Sequence, residues 1–161
     1  MNGIEEDNPA QQGGVSVSIR LAVESDLSWL LDMYAALDLV PEPRLDADTA
    51  IERFRRMCSY PDYRVYVCEQ AGVAVGTFSL LLVDGLAHGG RPHGIVEDVV
   101  VTQGLRGCGL GRTMMQFAMA RCAEAGCYKM GLSSHLRRED AHRFYEGLGF
   151  DRHGYSYLIA C

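Results

Sequence analysis

A glycine-rich stretch with an arginine at each end is the part of the sequence best suited to hold an anion. It reads Arg106-Gly107-Cys108-Gly109-Leu110-Gly111-Arg112, and it joins an apolar strand pattern that ends in Val99-Val100-Val101 to a helical pattern over residues 110–125. Glycine lets the backbone approach a ligand without a Cβ in the way, and a helix N-terminus presents free N–H groups and partial positive charge. We therefore expect a phosphate cradle between this strand and this helix.

Two adjacent carboxylates stand inside the strand pattern that precedes the cradle. Glu97 and Asp98 lie between apolar residues, where a charge is costly unless it is used or paired. Regular alternation places the two side chains on opposite faces of the sheet, with Glu97 on the face of Val99 and Val101. The pair indicates either acid–base chemistry or carboxylates bonded to neighbouring N–H groups or an arginine.

Two motifs together resemble a known family. The pattern Arg106-x-x-Gly109-x-Gly111 is similar to the acetyl-CoA pyrophosphate loop of the GNAT N-acetyltransferases, and residues 141–150 are similar to the C-terminal segment of that family. The resemblance covers roughly residues 16–160. It implies a single-domain α/β (α+β) fold, in which a mixed central β-sheet has helices on both faces.

The resemblance also implies roles for residues of this chain. Acetyl-CoA would be the acetyl donor, held by residues 106–112 and by the backbone of Val99–Val101, and no metal is implied. The Glu97-Asp98 pair resembles a pair that lines the acceptor site in the polyamine and glucosamine-6-phosphate subgroups. We expect Glu97 to act as the general base through water, Asp98 to contact the acceptor or support the site, and Tyr145 to protonate the leaving thiolate.

Each of these roles has an alternative. Three consecutive valines suit any buried strand, and Tyr145 could be a core aromatic residue of its helix. His142 lies three residues before Tyr145 and is another candidate base, whereas Cys108 is a thiol at a helix N-terminus. Many family members carry an asparagine that contacts CoA where this chain has Arg138. The arginines that could meet a CoA phosphate are Arg112, Arg138 and Arg143.

Composition limits the classes of function. The chain has 161 residues, which suits one domain, and a net charge of -6, which argues against a nucleic-acid partner. No run of about 18 apolar residues predicts a membrane helix. The six cysteines show no Cys-x-x-Cys pair and no zinc-ligand spacing to a histidine, so we expect free thiols in the cytoplasm. Residues 1–14 lack a signal-peptide pattern and predict a disordered lead-in to a domain over residues 15–161.

Periodicity predicts the order β-α-α-β-β-β-α-β-α-β. The predicted strands cover residues 16–22, 63–69, 73–83, 93–102, 128–133 and 155–160, and the predicted helices cover residues 25–37, 48–58, 110–125 and 138–146. Gly76, inside the second hairpin strand, predicts a bulge or a close backbone approach.

The sequence thus predicts an acetyl-CoA-dependent N-acetyltransferase that acts on a small-molecule primary amine by direct attack. The alternatives are a protein N-terminal or lysine acetyltransferase and a non-catalytic acyl-CoA-binding regulator. The segment Cys127-Tyr128-Lys129 looks like the amino-sugar-phosphate subgroup, but residues 133–136 do not, so no acceptor is assigned. Because the family often dimerises through its C-terminal strands, we also expect a homodimer formed by residues 155–159.

Overall fold

The structure is a computed structural model that describes residues 10–12, 15–37 and 42–159. Its contacts divide the chain into a larger unit, Met1–Gly131, and a smaller unit, Leu132–Cys161. The predicted lead-in lies outside the described residues except for Ala10–Gln12, which form a short strand.

Six strands of the larger unit form one mixed sheet in sequence order. Their bounds are β1 Ala10–Gln12, β2 Val15–Leu21, β3 Tyr63–Gln70, β4 Val73–Val83, β5 His93–Val101 and β6 Met130–Gly131. Neighbours up to β5 are antiparallel, and β6 runs parallel to β5. The predicted mixed sheet is confirmed, although β6 is much shorter than the predicted strand over residues 128–133.

Helices α1, Leu27–Ala35, and α2, Ala47–Ser59, cover one face of this sheet. Their apolar side chains pack on Val65 and Val67 of β3, with Leu30 and Phe54 at the centre of the cluster. The Asp46 side chain caps α2 by accepting a hydrogen bond from the Thr49 N–H at 3.0 Å. Helix α2 therefore begins one residue before the predicted start.

Helix α3, Leu110–Glu124, covers the opposite face. Met114 and Met115 are completely buried, and the Phe117 ring packs edge-on against Tyr66 and Phe78 of the sheet. A Cβ on Gly76 would lie 2.8 Å from the Met114 sulfur, so the expected close approach at Gly76 is confirmed. The methionine-rich stripe of α3 is therefore core, as its breadth around the helix predicts.

One arginine ties the start of α1 to the sheet. The Arg20 guanidinium, on β2, donates to both carboxylate oxygens of Asp26 at 2.7 and 2.9 Å and to Glu69 of β3 at 2.8 Å. Hydrogen bonding to Arg20 lowers the pKa of Asp26 below its usual value. Because Asp26 immediately precedes α1, this bidentate contact fixes where the helix starts above the sheet.

The smaller unit contains helix α4, Glu139–Glu146. The predicted final strand is wrong over residues 155–159, which have no strand structure, and Ala160 lies outside the described residues. The side chains of Tyr155, Tyr157, Leu158 and Ile159 are all at least 86% exposed. Alternation alone predicted this strand, and a strand needs a hydrogen-bonded neighbour that no described strand supplies.

Candidate active site

The glycine-rich loop has the backbone geometry of an anion cradle. Gly107 and Gly109 have φ values of 83° and 86°, in the left-handed region that favours glycine. Gly109 is the N-cap of α3, and the first helical bond runs from Thr113 N to Gly109 O at 3.0 Å. The N–H groups of Leu110, Gly111 and Arg112 therefore have no acceptor within the helix and are available to an anion.

Side chains of the loop take different environments. Arg106, Cys108 and Arg112 are exposed, and the Arg106 Nε lies 3.5 Å from the Val101 carbonyl. Leu110 is only 3% exposed, because its side chain belongs to the core under α3. The Leu110 N–H group can therefore donate a hydrogen bond to an anion, while the Leu110 side chain packs in the core and anchors the helix.

The strand that leads into the loop has an open edge. Strand β6 pairs with β5 only at Gly94 and Ile95. Residues Glu97 to Val101 thus have no described strand on that side, although β4 pairs with the other side as far as Val101. Main-chain groups of Val99–Val101 that point away from β4 therefore face an edge where an extended ligand can bind, although the Val101 carbonyl also lies 3.5 Å from the Arg106 Nε.

The expected alternation of Glu97 and Asp98 is wrong, because the register between β4 and β5 shifts at this point. Ser79 pairs with Glu97 and Thr77 pairs with Val100, so Asp98 and Val99 together face the single residue Phe78. Asp98 has a φ of 54°. Such a bulge re-aims side chains, and both carboxylates face the side of the sheet that α1 and α2 cover. Glu97 consequently shares that face with Val100 rather than with Val101.

Three residues that the sequence analysis did not single out surround the carboxylates. Ser79, on β4, is 1% exposed and donates a hydrogen bond to the Glu97 carbonyl at 3.3 Å. Tyr63, on β3, and Tyr34, on α1, lie close enough to feel the charge of Asp98. No local pattern marks these residues, because strand register and helix packing bring them together from four elements.

Desolvation by neighbouring atoms changes the ionisation of this cluster, although both carboxylates are exposed at the surface. Desolvation, and then the charge of Glu97, raise the pKa of Asp98 above its usual value, while hydrogen bonding to Ser79 opposes the rise. Desolvation also raises the pKa of Tyr34 to about 12 and that of Tyr63 in the same direction. Both tyrosines are therefore protonated at neutral pH, and Asp98 is the carboxylate with the strengthened hold on a proton.

A group of basic side chains surrounds Tyr128 at the other end of β5. The His88 ring stacks on Tyr128 at 4.2 Å between centroids, and the Lys129 Nζ and Arg91 Cζ lie 5.3 and 5.6 Å from the Tyr128 ring centre. His93 contacts the same ring at 6.1 Å. Neither Arg91 nor Lys129 forms an ion pair with a described residue. We call these five residues the Tyr128 cluster, and its unpaired cations favour an anionic ligand.

Tyr145 lies in the smaller unit, on α4. Its ring contacts Phe144 at 5.1 Å and Phe150 at 5.7 Å, and desolvation raises the pKa of its hydroxyl. The residue is thus half-buried in an aromatic cluster and protonated at neutral pH. Those properties suit a general acid and also suit a structural aromatic residue, which were the two interpretations drawn from the sequence.

The other candidates of the smaller unit have local partners. The His142 Nε2 lies 3.1 Å from the His135 carbonyl oxygen. Arg143 pairs with Asp140 and Glu139 along α4, which occupies its guanidinium. Arg138 is the N-cap residue of α4.

The described residues contain no group of three or more His, Cys, Asp or Glu side chains able to hold a metal. None of the described helices is long and apolar enough to span a bilayer. All five described cysteines are free thiols.

Comparison with known proteins places this geometry in context. Residues 28–150 match the profile of the acetyltransferase (GNAT) family. The glucosamine 6-phosphate N-acetyltransferase of Trypanosoma brucei brucei is 35% identical over 140 residues, which are 86% of this chain and 92% of that protein. The aminoalkylphosphonate N-acetyltransferase of Salmonella typhimurium is 26% identical over 128 residues, which are 80% of this chain and 82% of that protein.

A solved structure shows the same fold. The crystal structure of glucosamine-6-phosphate N-acetyltransferase from Arabidopsis thaliana superposes with a TM-score of 0.76 at 25% sequence identity. The match covers 89% of this chain and 97% of the Arabidopsis chain.

Proposed function

This chain belongs to the acetyltransferase (GNAT) family, and from that membership we propose that it transfers the acetyl group of acetyl-CoA to the primary amine of a small molecule that also carries a phosphate. The observation that carries the choice of acceptor is the Tyr128 cluster, with two unpaired cations around one aromatic ring in a protein of net charge -6. Glucosamine 6-phosphate is the first acceptor to test.

Residues of the loop and of the β5 edge fit the donor. In this proposal the N–H groups from Gly107 to Arg112 bind the pyrophosphate of acetyl-CoA, and the exposed Arg112 and Arg106 supply charge around it. The backbone of Val99–Val101 binds the pantetheine arm along the open edge of β5. An N–H group of this edge that points at the thioester carbonyl would stabilise its developing negative charge.

The carboxylate pair fits the acceptor amine. The ammonium form of the acceptor must lose one proton before its nitrogen can attack the thioester carbonyl carbon. The C–N bond then forms, the C–S bond breaks, and the nitrogen releases its second proton to solvent as the amide forms. The sequence favoured Glu97 as the base, but the raised pKa and the tyrosine-lined surroundings favour Asp98. We assign Asp98 to take the proton, directly or through water, and Glu97 to hold the ammonium group beforehand. Tyr145 is proposed to return a proton to the leaving thiolate.

The spacing along β5 fits an acceptor with an amine and an anion at opposite ends. His93 and Glu97 lie on the same face four residues apart, which corresponds to about 13 Å along an extended strand. Val101, next to the glycine-rich loop, lies eight residues from His93, or about 26 Å. The Tyr128 cluster is therefore too far along the strand to share the pyrophosphate of the donor.

Relatives support the same class of acceptor. The Trypanosoma and Arabidopsis relatives are named for glucosamine 6-phosphate, and the Salmonella relative is named for an aminoalkylphosphonate. Each of these names describes a small amine that carries a phosphorus oxyanion. We further propose that the protein works in the cytoplasm as a homodimer.

A paired comparison of acceptors tests this proposal. Initial rates of CoA thiol release are measured with glucosamine 6-phosphate and with glucosamine, for wild type and for a variant with both Arg91→Ala and Lys129→Ala. We expect wild type to favour the phosphorylated amine by about tenfold or more in kcat/KM, and the double variant to lose most of that preference. Arg53→Ala, an exposed arginine of α2 without an ion pair to a described residue, is the control that keeps the preference. Equal loss of both activities in the double variant would overturn the assigned acceptor class.

A further inference from the structure

A buried hydroxyl lies under the carboxylate pair. Ser79 is 1% exposed and stands in the middle of the sheet, where β4 pairs it with Val65 of β3 on one side and with Glu97 of β5 on the other. Its hydroxyl donates to the Glu97 carbonyl at 3.3 Å, at the point where the β4–β5 register shifts. A bulge leaves backbone groups without a ladder partner, so this hydroxyl supplies a hydrogen bond that the sheet does not.

The same hydroxyl interacts with two further side chains. The Ser79 hydroxyl opposes the rise in pKa of both Asp98 and Tyr63, so it lies near the Asp98 carboxylate and the Tyr63 hydroxyl. A serine hydroxyl has one proton and two lone pairs. When the protonated Tyr63 donates to Ser79, the one proton of Ser79 is shared between two acceptors at the bulge, the Glu97 carbonyl and the charged Asp98 carboxylate.

We propose that Ser79 is a positioning residue, which holds the β5 bulge in shape and orients the Asp98 carboxylate toward the acceptor amine. Tyr63 supports it by fixing the direction in which its hydroxyl donates. This inference rests on the proposed function, because it concerns the residue to which the amine proton is assigned there.

A second buried hydroxyl on the same strand provides a matched comparison. Thr77 lies two residues before Ser79 on the same face and is also completely buried. Its hydroxyl donates at 2.8 Å to the carbonyl of Tyr66 on β3 and also interacts with Tyr34 of α1, but it is not among the groups that shift the pKa of Asp98 itself. Substitutions at the two positions each remove a buried hydroxyl of β4, but only one of those hydroxyls interacts with Asp98.

The pH dependence of kcat/KM separates a positioning role from a structural one. Ser79 stabilises the charged form of Asp98, so Ser79→Ala should raise the pKa of that carboxyl and move the acid limb of the profile to higher pH. The titratable groups that face Asp98 are Glu97 on its own strand, Tyr34 from α1 and Tyr63 from β3. The two tyrosines titrate above the acid range, and a Glu97→Gln background removes the remaining carboxylate.

Three variants complete the test. Thr77→Val should leave the acid limb at its wild-type position, and Ser79→Thr, which keeps a hydroxyl, should restore it. Wild type and Ser79→Ala are also labelled with ¹³C at the aspartate carboxyls, and the Asp98 signal, assigned by its loss in Asp98→Asn, is titrated without acceptor. We expect its midpoint to rise in Ser79→Ala and to stay unchanged in Thr77→Val.

The outcomes distinguish this inference from the proposed function. A wild-type protein that transfers acetyl to no amine refutes the proposed function, while the ¹³C titration still decides the role of Ser79. An Asp98 midpoint that is the same in Ser79→Ala and wild type overturns the inference, whatever the activity.

Discussion

Glu97 and Asp98 are consecutive residues of β5, yet both carboxylates face the side of the sheet that α1 and α2 cover. The register shift at Phe78 and the positive φ of Asp98 produce this arrangement. Two negative charges so close together disfavour one another, which is part of why the pKa of Asp98 rises. Repulsion between the two carboxylates destabilises the folded protein, and the proposed proton transfer is a functional reason for keeping them adjacent.

Replacing Asp98 should lower activity without lowering stability. The folded protein holds a proton on Asp98 more tightly than the unfolded chain does. Its ionisation therefore costs stability as the pH rises from the usual carboxyl pKa through the raised one, and the full cost is present at neutral pH. Asp98→Asn removes that cost and tolerates the positive φ, so we expect its Tm at pH 7 to equal or exceed that of wild type while activity falls by about 10²-fold.

The melting temperatures are compared by calorimetry across pH. The gain in Tm should disappear below about pH 4, where both states of wild type carry the proton. Asp62→Asn is the control, because Asp62 also has a positive φ, of 53°, but lies outside the carboxylate pair. It should keep wild-type activity. Full activity in Asp98→Asn would show that Asp98 is not the base.

Substitutions in the glycine-rich loop should abolish donor binding. A valine at Gly109 must adopt a φ near 86° at the N-cap of α3, and its branched side chain lies where a phosphate must approach. We expect Gly109→Val and Gly111→Val to lose the rise in Tm that saturating acetyl-CoA gives wild type, measured by thermal shift. Gly104→Ala is the control, because a Cβ there meets open space, and it should keep the shift. A retained shift in both valine variants would place the donor elsewhere.

Tyr145→Phe should distinguish a general acid from a core aromatic residue. The ring and its contacts with Phe144 and Phe150 survive the change, so the protein should fold normally. If the hydroxyl protonates the thiolate, kcat falls by about 10²-fold or more and acetyl-CoA affinity barely changes. Tyr155→Phe, at an 89% exposed tyrosine of the same unit, serves as the control for loss of a phenolic hydroxyl. Wild-type turnover in Tyr145→Phe would assign the ring to the core alone.

If the exposed apolar residues near the C-terminus form a dimer interface, charged substitutions there should dissociate the dimer. Leu158 and Ile159 are 93% and 86% exposed in a single chain. We expect wild type to sediment as a dimer at micromolar concentration and the double variant Leu158→Glu, Ile159→Glu to sediment as a monomer. Leu136→Glu, at an 87% exposed position of the same unit, should remain a dimer. A wild-type monomer at that concentration would remove the dimer from the account.

Local sequence signals predicted most of the helices and strands and the glycine-rich loop before α3, but not the loss of the final strand or the surroundings of the carboxylate pair. Asp46 as a cap and Gly109 as the turn before α3 act within a few residues, so their effects can be inferred from neighbours in the chain. The bulge at Asp98 depends on how β5 registers with β4, and alternation within one strand cannot show a register shift. The positive φ of Asp98 suits an aspartate better than a valine, which is the one local hint.

The two side-chain clusters that the sequence did not predict are formed by tertiary contacts. The residues around the carboxylates come from three elements and are Tyr34, Tyr63 and Ser79. Nothing in the segment around each of them marks it as part of a site. The Tyr128 cluster joins the loop before β5 to the segment before β6. Those segments are about 35 residues apart in the sequence and neighbours only because β5 and β6 pair in parallel.

The most direct test of the account is acetyl transfer by the wild-type protein with acetyl-CoA and glucosamine 6-phosphate. CoA thiol release is followed by a thiol reagent, and the product is identified by mass spectrometry, with Asp98→Asn as the matched control. We expect one N-acetylated sugar phosphate for each CoA released, at a rate that glucosamine does not match. Hydrolysis of acetyl-CoA without an acetylated product, or equal rates with the two sugars, would contradict it.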